Sequence, residues 1–497
     1  MSHPRHPAPV TTADGEIRPA PRAPARERWS WAIYDFANTI FSMNVATLYF
    51  AVWLVSDLGA SNTSVAIGSG IASLLVALSI PALGAISDAR QQRVVWVIGW
   101  TLLAIVATAL IGIAGQAMLP AYGEGLVNGM PRPEGWTLPG STLAVLLIAF
   151  IVANYSYQAA LPFYNAMLPE LVPPKEQGRL SGIGTAVGYV GSIAGVLLVT
   201  PFFTGALPLP GSGPLPASFM ENLRSIVPFT STGGRVATFV PTALLYLLFA
   251  LPLFLFCRDH RTAQKVAVRW REAFASVFAT FRDASKHPGA LRFIIASFLY
   301  QDAMGTIIAF MALYAVEAMG FAQGLEATLL ITLTVPAVFG SVIIGYLIDG
   351  IGATRRFRLG PKRALVSVLI AWIVLLIAMM VAPGQRSFWV VGFFIGLIYG
   401  GIATAERPLL LSLVPDVEAG KYFGLMVLSA RAAAIAGPLI WGVTVDGLTP
   451  SMGKPIAYRA AVGTVAIAMI IALFVLRKVP DRSRSDEEGA AARPASS

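Results

Sequence analysis

The amino-acid sequence predicts an all-α integral membrane protein of twelve transmembrane helices, built as two related six-helix halves. Three observations carry that prediction. The chain is 56% hydrophobic and only 12% charged, whereas a soluble domain keeps roughly a quarter of its residues charged. The charges crowd into certain stretches, and the apolar segments between them reach the about 20 residues that cross a ~30 Å hydrocarbon core as helix. Polar landmarks also recur in the same order in both halves of the chain. The alternating strands of an outer-membrane barrel are absent from the pattern.

In chain order, spans 1 to 6 are expected at 29–56, 64–87, 94–114, 141–166, 180–203 and 236–257. Spans 7 to 12 follow at 290–318, 325–348, 363–383, 387–413, 421–445 and 456–476. Residues 1–28 are rich in Pro, Ala and Arg and lack an apolar core, so they read as a disordered tail and not as a cleaved signal peptide. Residues 479–497 read as a second disordered tail. Between the six-helix bundles 29–257 and 290–478 lies a charged linker, 258–289. Its Val268, Phe274, Val277, Phe278 and Phe281, set among Arg and Lys, suit an amphipathic helix on the membrane surface. The tails, the linker and the connections after spans 2, 4, 8 and 10 hold about 28 of the 36 Lys and Arg residues. By the positive-inside rule both termini are expected in the cytoplasm, in a bacterial inner membrane. The net charge of +10 is then a topology signal, and no nucleic-acid partner is expected.

The halves superimpose by their landmarks. Span 2 ends Gly84…Asp88 before Arg90 and Arg93, and span 8 ends Gly345…Asp349 before Arg355, Arg356, Lys362 and Arg363. Span 4 has Pro162 ahead of Pro169-Glu170, and span 10 has Pro408 ahead of Pro415-Asp416. Span 5 reaches Ile193-Ala194-Gly195, and span 11 reaches Ile435-Ala436-Gly437. Span 1 carries Tyr34, Asp35 and Thr39; span 7 carries Tyr300, Asp302 and Thr306. A parallel six-plus-six repeat of this kind resembles the major facilitator superfamily, whose halves rock about a central site. The two Gly-xxx-Asp-basic loops look like that superfamily's cytoplasmic loop motif, although Gln91 stands where a Gly is usual. They read either as gates that pair across the halves or as topology-setting basic loops.

A narrower resemblance rests on Trp31-Ala-Ile-Tyr34-Asp35-Phe-Ala-Asn38, Phe163-Tyr164-Asn165…Pro169-Glu170, Ser181-Gly182 through Gly188-Tyr189, and Tyr300-Gln301-Asp302. This is similar to the vacuole-effluxer-like family, related to the autophagy-associated amino-acid effluxers of fungi. The resemblance implies a transporter of a small polar solute, with amino acids first. One departure matters: where that family often shows Ser-Arg-Ser in span 10, this chain has Ala405-Glu406-Arg407-Pro408.

Charges inside the bilayer cost several kcal/mol unless they face water or a partner, so Asp35, Asp302, Glu406, Arg407 and Arg431 are candidates for function. Asp302 and Arg431 fall near mid-membrane, and the other three in the cytoplasmic third. Asp35 and Asn38 share a helix face, whereas Glu406 and Arg407 point about 100° apart. The expectation is that Asp35 and Asp302 face the cavity between halves and that Arg407 and Arg431 oppose them. That arrangement would suit a zwitterion or an anion. The alternative is a set of interhelical salt bridges, with capping or snorkelling also open to Asp35. Asn154 and Gln158 share a face and read either as solute ligands or as interhelical glue; Gly184, Gly188, Gly191 and Gly195 read as a packing stripe.

Cys257 is the single cysteine, and His3, His6, His260 and His287 all fall outside the spans. Proton coupling, a possible partner of transport, would then use Asp302, followed by Asp35 or Glu406. No phosphate-binding loop, nucleophile–base pair or metal-ligand cluster appears, so no enzyme activity, cofactor or metal is expected. The expected protein is a monomer that moves a small-molecule solute among membrane lipids by alternating access, secondary active or facilitative. A lipid or lipid-linked-sugar flippase of the same fold is the alternative, and a non-transporting receptor or scaffold is a third reading.

Overall fold

A computed structural model describes residues 22–58, 60, 68, 71–72, 74–76, 78–79, 83, 92–122, 138–208, 213–231, 233–259, 288–321, 326–350, 358–415 and 418–481. Several expectations lie outside these residues: nearly all of span 2, the landmarks Gly84, Asp88 and Arg90, the tails, the amphipathic linker, Arg355 and Arg356, and Asp416. The side chain of Arg431 lies outside them too.

The described chain is almost wholly helical, as lipid demands of a backbone that must satisfy its own N–H and C=O groups. The helices are α1 (Ala25–Phe41), α2 (Val94–Tyr122), α3 (Gly140–Ala166), α4 (Gln177–Thr204), α5 (Ala217–Ile226) and α6 (Phe239–Phe256). Then come α7 (Pro288–Met319), α8 (Glu326–Asp349), α9 (Gly360–Val381), α10 (Gln385–Leu413), α11 (Ala419–Met452) and α12 (Lys454–Arg477). Eight described helical segments are long and apolar enough to cross a membrane. From α6 onward each label matches the span of the same number; α2, α3 and α4 are spans 3, 4 and 5, and α5 lies in the connection before span 6. Two features depart from the expected pattern. Span 1 leaves α-geometry at Ser42 for π-helical turns through Tyr49 and again over Trp53–Asp57. Helix α11 runs on past the expected end at 445 to Met452, carrying Pro438 and Pro450 within it.

The repeat seen in sequence reappears in packing. In the first half α1 lies on α4 and α6, while α2 lies on α3 and α6. In the second half α7 lies on α11 and α12, while α9 lies on α10 and α12. The glycine stripe makes the first of these contacts possible. A Cβ on Gly191 would stand 2.5 Å from the Phe36 carbonyl oxygen, so only glycine lets α1 and α4 approach this closely. Reciprocal bonds tie α1 to α3: the Trp31 indole N–H donates to the Tyr164 carbonyl and the Tyr164 hydroxyl to the Trp31 carbonyl, both at 3.0 Å. Their rings stack at 4.6 Å.

A further repeated device sits at the terminus-bearing end. Just beyond α6, Asp259 accepts from the backbone N–H groups of Arg93 and Val94 at 2.7 and 2.9 Å, answering two orphan donors at the start of α2. Just beyond α12, Asp481 meets Arg363 in the first turn of α9 at 3.2 Å. The same end of the same helix pair is thus tied by an Asp in both halves.

The halves meet along α4, which packs on α8 and α10, with α3 against α11. At the terminus-bearing end Asp349 accepts from the N–H groups of Gly178, at 3.2 Å, and Arg179, where α4 begins. One turn further in, a Cβ on Gly182 would lie 2.5 Å from the Ser341 carbonyl oxygen and 3.0 Å from the Gly345 Cα. Ser181 donates to the Thr404 carbonyl at 3.0 Å, also across the halves. These bonds all fall in the first half of α4, so the bundle is closed at the end where both tails emerge.

Candidate functional site

Above that closure, two intramembrane charges find each other. Asp35 on α1 and Arg407 on α10 form an ion pair across the halves, Arg407 Nη1 to Asp35 Oδ2 at 3.2 Å and Nη2 to Oδ1 at 3.5 Å. The Arg407 and Asp35 side chains are only 14% and 8% exposed, so neither is a snorkelling surface charge. Two forked N–H groups against two carboxylate oxygens make this a geometry that arginine provides and lysine does not. The guanidinium also lies 5.6 Å from the Trp31 ring and 5.7 Å from the Tyr164 ring, in cation–π range of both. A fourth contact comes from α4, where Thr185 Oγ1 is 3.5 Å from Arg407 Nη1. Trp31 and Asp35 are one turn apart on a single face of α1, which is how one helix supplies both the carboxylate and an aromatic wall.

The neighbouring Glu406 points elsewhere, as its angular offset requires. Its Oε1 accepts from Gln301 Nε2 on α7 at 2.7 Å, and the residue is 5% exposed. Tyr300 and Ser297, on the same helix as Gln301, place buried hydroxyls beside it, and the Tyr300 hydroxyl interacts with both Ser297 and the Glu406 carboxylate. On the side of the first half, Tyr189 stands against Tyr399 with ring centroids 5.8 Å apart.

Asp302 takes a third kind of partner. Its Oδ1 accepts from the backbone N–H of Gly437 at 2.7 Å. Gly437 precedes Pro438, which has no N–H to continue the α11 ladder, so the carboxylate serves a backbone group beside a break in that ladder. A Cβ at Gly437 would meet Thr306 Oγ1 at 2.0 Å, so the contact needs a glycine. Asp302 thus binds within the second half, while Asp35, its counterpart in the repeat, binds across the halves.

The remaining expected site residues are spread out. Asn38, on the Asp35 face, accepts from the Tyr246 hydroxyl at 3.1 Å inside the first half. Gln158 donates to Asn154 at 3.2 Å along α3, confirming their shared face, while Gln158 Oε1 is buried without a partner. Of the loop residues, Arg93 is fully buried and bonds Glu170 at 2.7 Å and the Ala166 carbonyl within its own half. Gly345 and Asp349 lie at the closure described above. Four contributors were not singled out as site residues in the sequence: Trp31, Tyr164, Thr185 and Gln301. The first two stand in the motifs that carry the family resemblance, and Trp31 lies one turn before Asp35. Gln301 lies in the Tyr300-Gln301-Asp302 motif and Thr185 within the Ser181–Tyr189 stretch, where each adds only polarity inside an apolar span.

A paired-halves bundle with a buried ion pair between the halves defines a membrane transporter of the major facilitator class, and solved structures agree on the architecture. The outward-facing structure of a bacterial homologue of the iron transporter ferroportin matches with a TM-score of 0.62 at 14% identity, covering 91% of this chain and 98% of that one. The transporter FucP in its outward conformation gives a TM-score of 0.61 at 14% identity over 92% and 98%. The chain belongs to the vacuole effluxer Atg22-like family, whose profile matches residues 58–488. A relative in Bacillus subtilis (strain 168), described as the uncharacterized MFS-type transporter YxiO, is 25% identical over 92% of this chain and 95% of its own. Autophagy-related protein 22 of Eremothecium gossypii is 19% identical over 88% and 89%.

Proposed function

We propose that this transporter moves a small zwitterionic solute, an amino acid in the first instance, by alternating access across a bacterial inner membrane with both termini in the cytoplasm. The observation that carries the reading is the Asp35–Arg407 pair. It is the charge contact that joins α1 of one half to α10 of the other, and it stands just above the closed end. An ammonium group offered to Asp35 and a carboxylate offered to Arg407 replace the protein's own pair charge for charge. A solute carrying both therefore unties the halves without stranding either buried ion, whereas breaking such a pair outright costs about 3–5 kcal/mol. Trp31 and Tyr164 supply the apolar, π-rich wall that keeps Arg407 in place during the exchange. The distribution of Lys and Arg supports a cytoplasmic position for the closed end, which makes this the inward-closed form.

The test is uptake of labelled amino acids, amines, carboxylates and sugars into proteoliposomes. Amino acids should enter and compete with one another, and an amine or a carboxylate alone should compete at least tenfold less well. Transport of none of them, with translocation of a labelled lipid instead, would overturn the reading.

A further inference from the structure

The three intramembrane carboxylates described above differ in what holds them. Asp35 is neutralised by a full positive charge, and Asp302 is engaged by a backbone N–H that needs an acceptor. Glu406 has neither an ion pair nor a backbone donor among the described residues. Its hydrogen-bonding neighbours there are neutral: the Gln301 amide donates to it, and the Tyr300 hydroxyl, which also meets Ser297, interacts with its carboxylate. We propose that Glu406 is a proton-binding site of the transport cycle, loaded from the open side and emptied on the other, so that solute movement is coupled to proton movement. The proposal rests on the transport reading above and goes beyond it by naming the coupling ion and its carrier.

Burial is the first argument. A carboxylate whose described neighbouring cation, Arg407, is already paired with Asp35 is costly to keep in a dry interior, and taking up a proton removes that cost. Hydrogen-bond inventory is the second. A carboxylic acid has one donor to place, and the Tyr300 hydroxyl that interacts with it is a buried oxygen able to accept as well as donate. Gln301 already donates to Oε1, leaving the rest of the carboxyl group for the proton. Position is the third. Gln301 is only half-buried, as are Tyr189 and Tyr399, so the group lies one side chain away from the space between the halves. Among the described residues, the charged and titratable groups around it are Tyr300 from α7, Tyr189 from α4, and Arg407 and Tyr399 from its own helix, with Asp35 of α1 beyond Arg407. Arg407 is the decisive neighbour. While it is paired with Asp35 it offers Glu406 little compensation. When a solute carboxylate or the rocking of the halves draws it away from Asp35, the field at Glu406 changes, and with it the affinity for the proton. The step balances simply: one proton passes from water on the open side to a Glu406 carboxylate oxygen, and leaves to water after the halves have exchanged access.

Two measurements on the purified full chain test this. Infrared difference spectra taken over a pH titration should show a protonated-carboxyl band that is lost in Glu406→Gln. In proteoliposomes, a proton gradient should drive several-fold accumulation of a labelled amino acid by the parent protein, and the ratio should fall to about one in Glu406→Gln. A band that survives in Glu406→Gln, or gradient-driven accumulation that survives there, overturns the proposal. Should that variant fail to reach the membrane, Gln301→Leu replaces it, and a band whose midpoint pH does not move in Gln301→Leu is equally fatal. If the parent protein carries no amino acid at all, the proposed solute is wrong, and the infrared band still decides the proton site.

Discussion

At the scale of single residues, the carboxylates Asp35, Asp302 and Glu406 are each held by a different kind of partner, and the difference predicts how each tolerates replacement. Arg407 loses its ion-pair partner when Asp35 becomes Asn, and Asp35 loses its own when Arg407 becomes Gln. Each single change should lower the melting temperature of the purified protein clearly, while the double variant should cost less than the sum of the singles by about 1–3 kcal/mol of coupling. Additive effects in that cycle would show that the pair stores no interaction energy. Arg407→Lys should also fail to rescue transport, because one ammonium group cannot reproduce the forked contact to both carboxylate oxygens. For Asp302 the order is reversed in an informative way. Asn keeps an oxygen to accept from Gly437 N–H, whereas Ala leaves that donor unmatched beside Pro438 at about 1–3 kcal/mol. Thermal unfolding should therefore rank Asp302→Asn well above Asp302→Ala, and equal losses would refute the bond's role.

At the scale of elements, the start of α4 is the latch. It presents two helix-end N–H groups to Asp349 and two glycines to α8, Gly178 against Ile348 and Gly182 against Ser341 and Gly345. Neither helix has room for a side chain there, so Gly182→Leu must push α4 and α8 apart while leaving each half intact. Asp349→Asn weakens the same closure by removing the negative charge from the positive end of a helix. Spin labels at exposed Lys175 in the first half and exposed Arg363 in the second should report a longer mean distance in both variants, the larger shift in Gly182→Leu. An unchanged distance distribution would mean that the closure lies elsewhere. Much of this architecture was legible in the sequence. The Gly345–Asp349 pair and Ser181-Gly182 were visible as landmarks because glycine and aspartate at helix ends are rare and positional. What could not be read was the partner of each: Asp349 bonds the backbone of α4, and no side-chain pattern marks a backbone N–H as a ligand. The same limit hid Asp302's bond to Gly437, and it hid Asp259, which lies at the edge of a charged stretch that read only as linker.

At the scale of the whole molecule, the repeat gives two bundles of equal internal design joined by an interface that is lopsided. Inside each half the same four helix pairs are packed, and each half carries its own terminal Asp at the start of its third span. Between the halves, the hydrogen bonds described run from Gly178 to Thr185 at one end of α4, with the Asp35–Arg407 pair of α1 and α10 beside Thr185. Rigid halves with contacts concentrated at one end behave as a two-state rocker, and a solute shifts such an equilibrium only by binding the two states differently. The Asp35–Arg407 pair supplies that difference, since it exists in the closed-end state and competes with the solute for the same charges. Saturating amino acid should therefore lengthen the Lys175–Arg363 label distance in the otherwise unaltered protein, by the same sign as Gly182→Leu. A simple amine and a simple carboxylate added separately should not, because each satisfies one ion and leaves the other buried and alone. If either one alone opens the terminus-bearing end as far as the zwitterion does, the ion pair is a bystander and the solute must act through other residues of the interface.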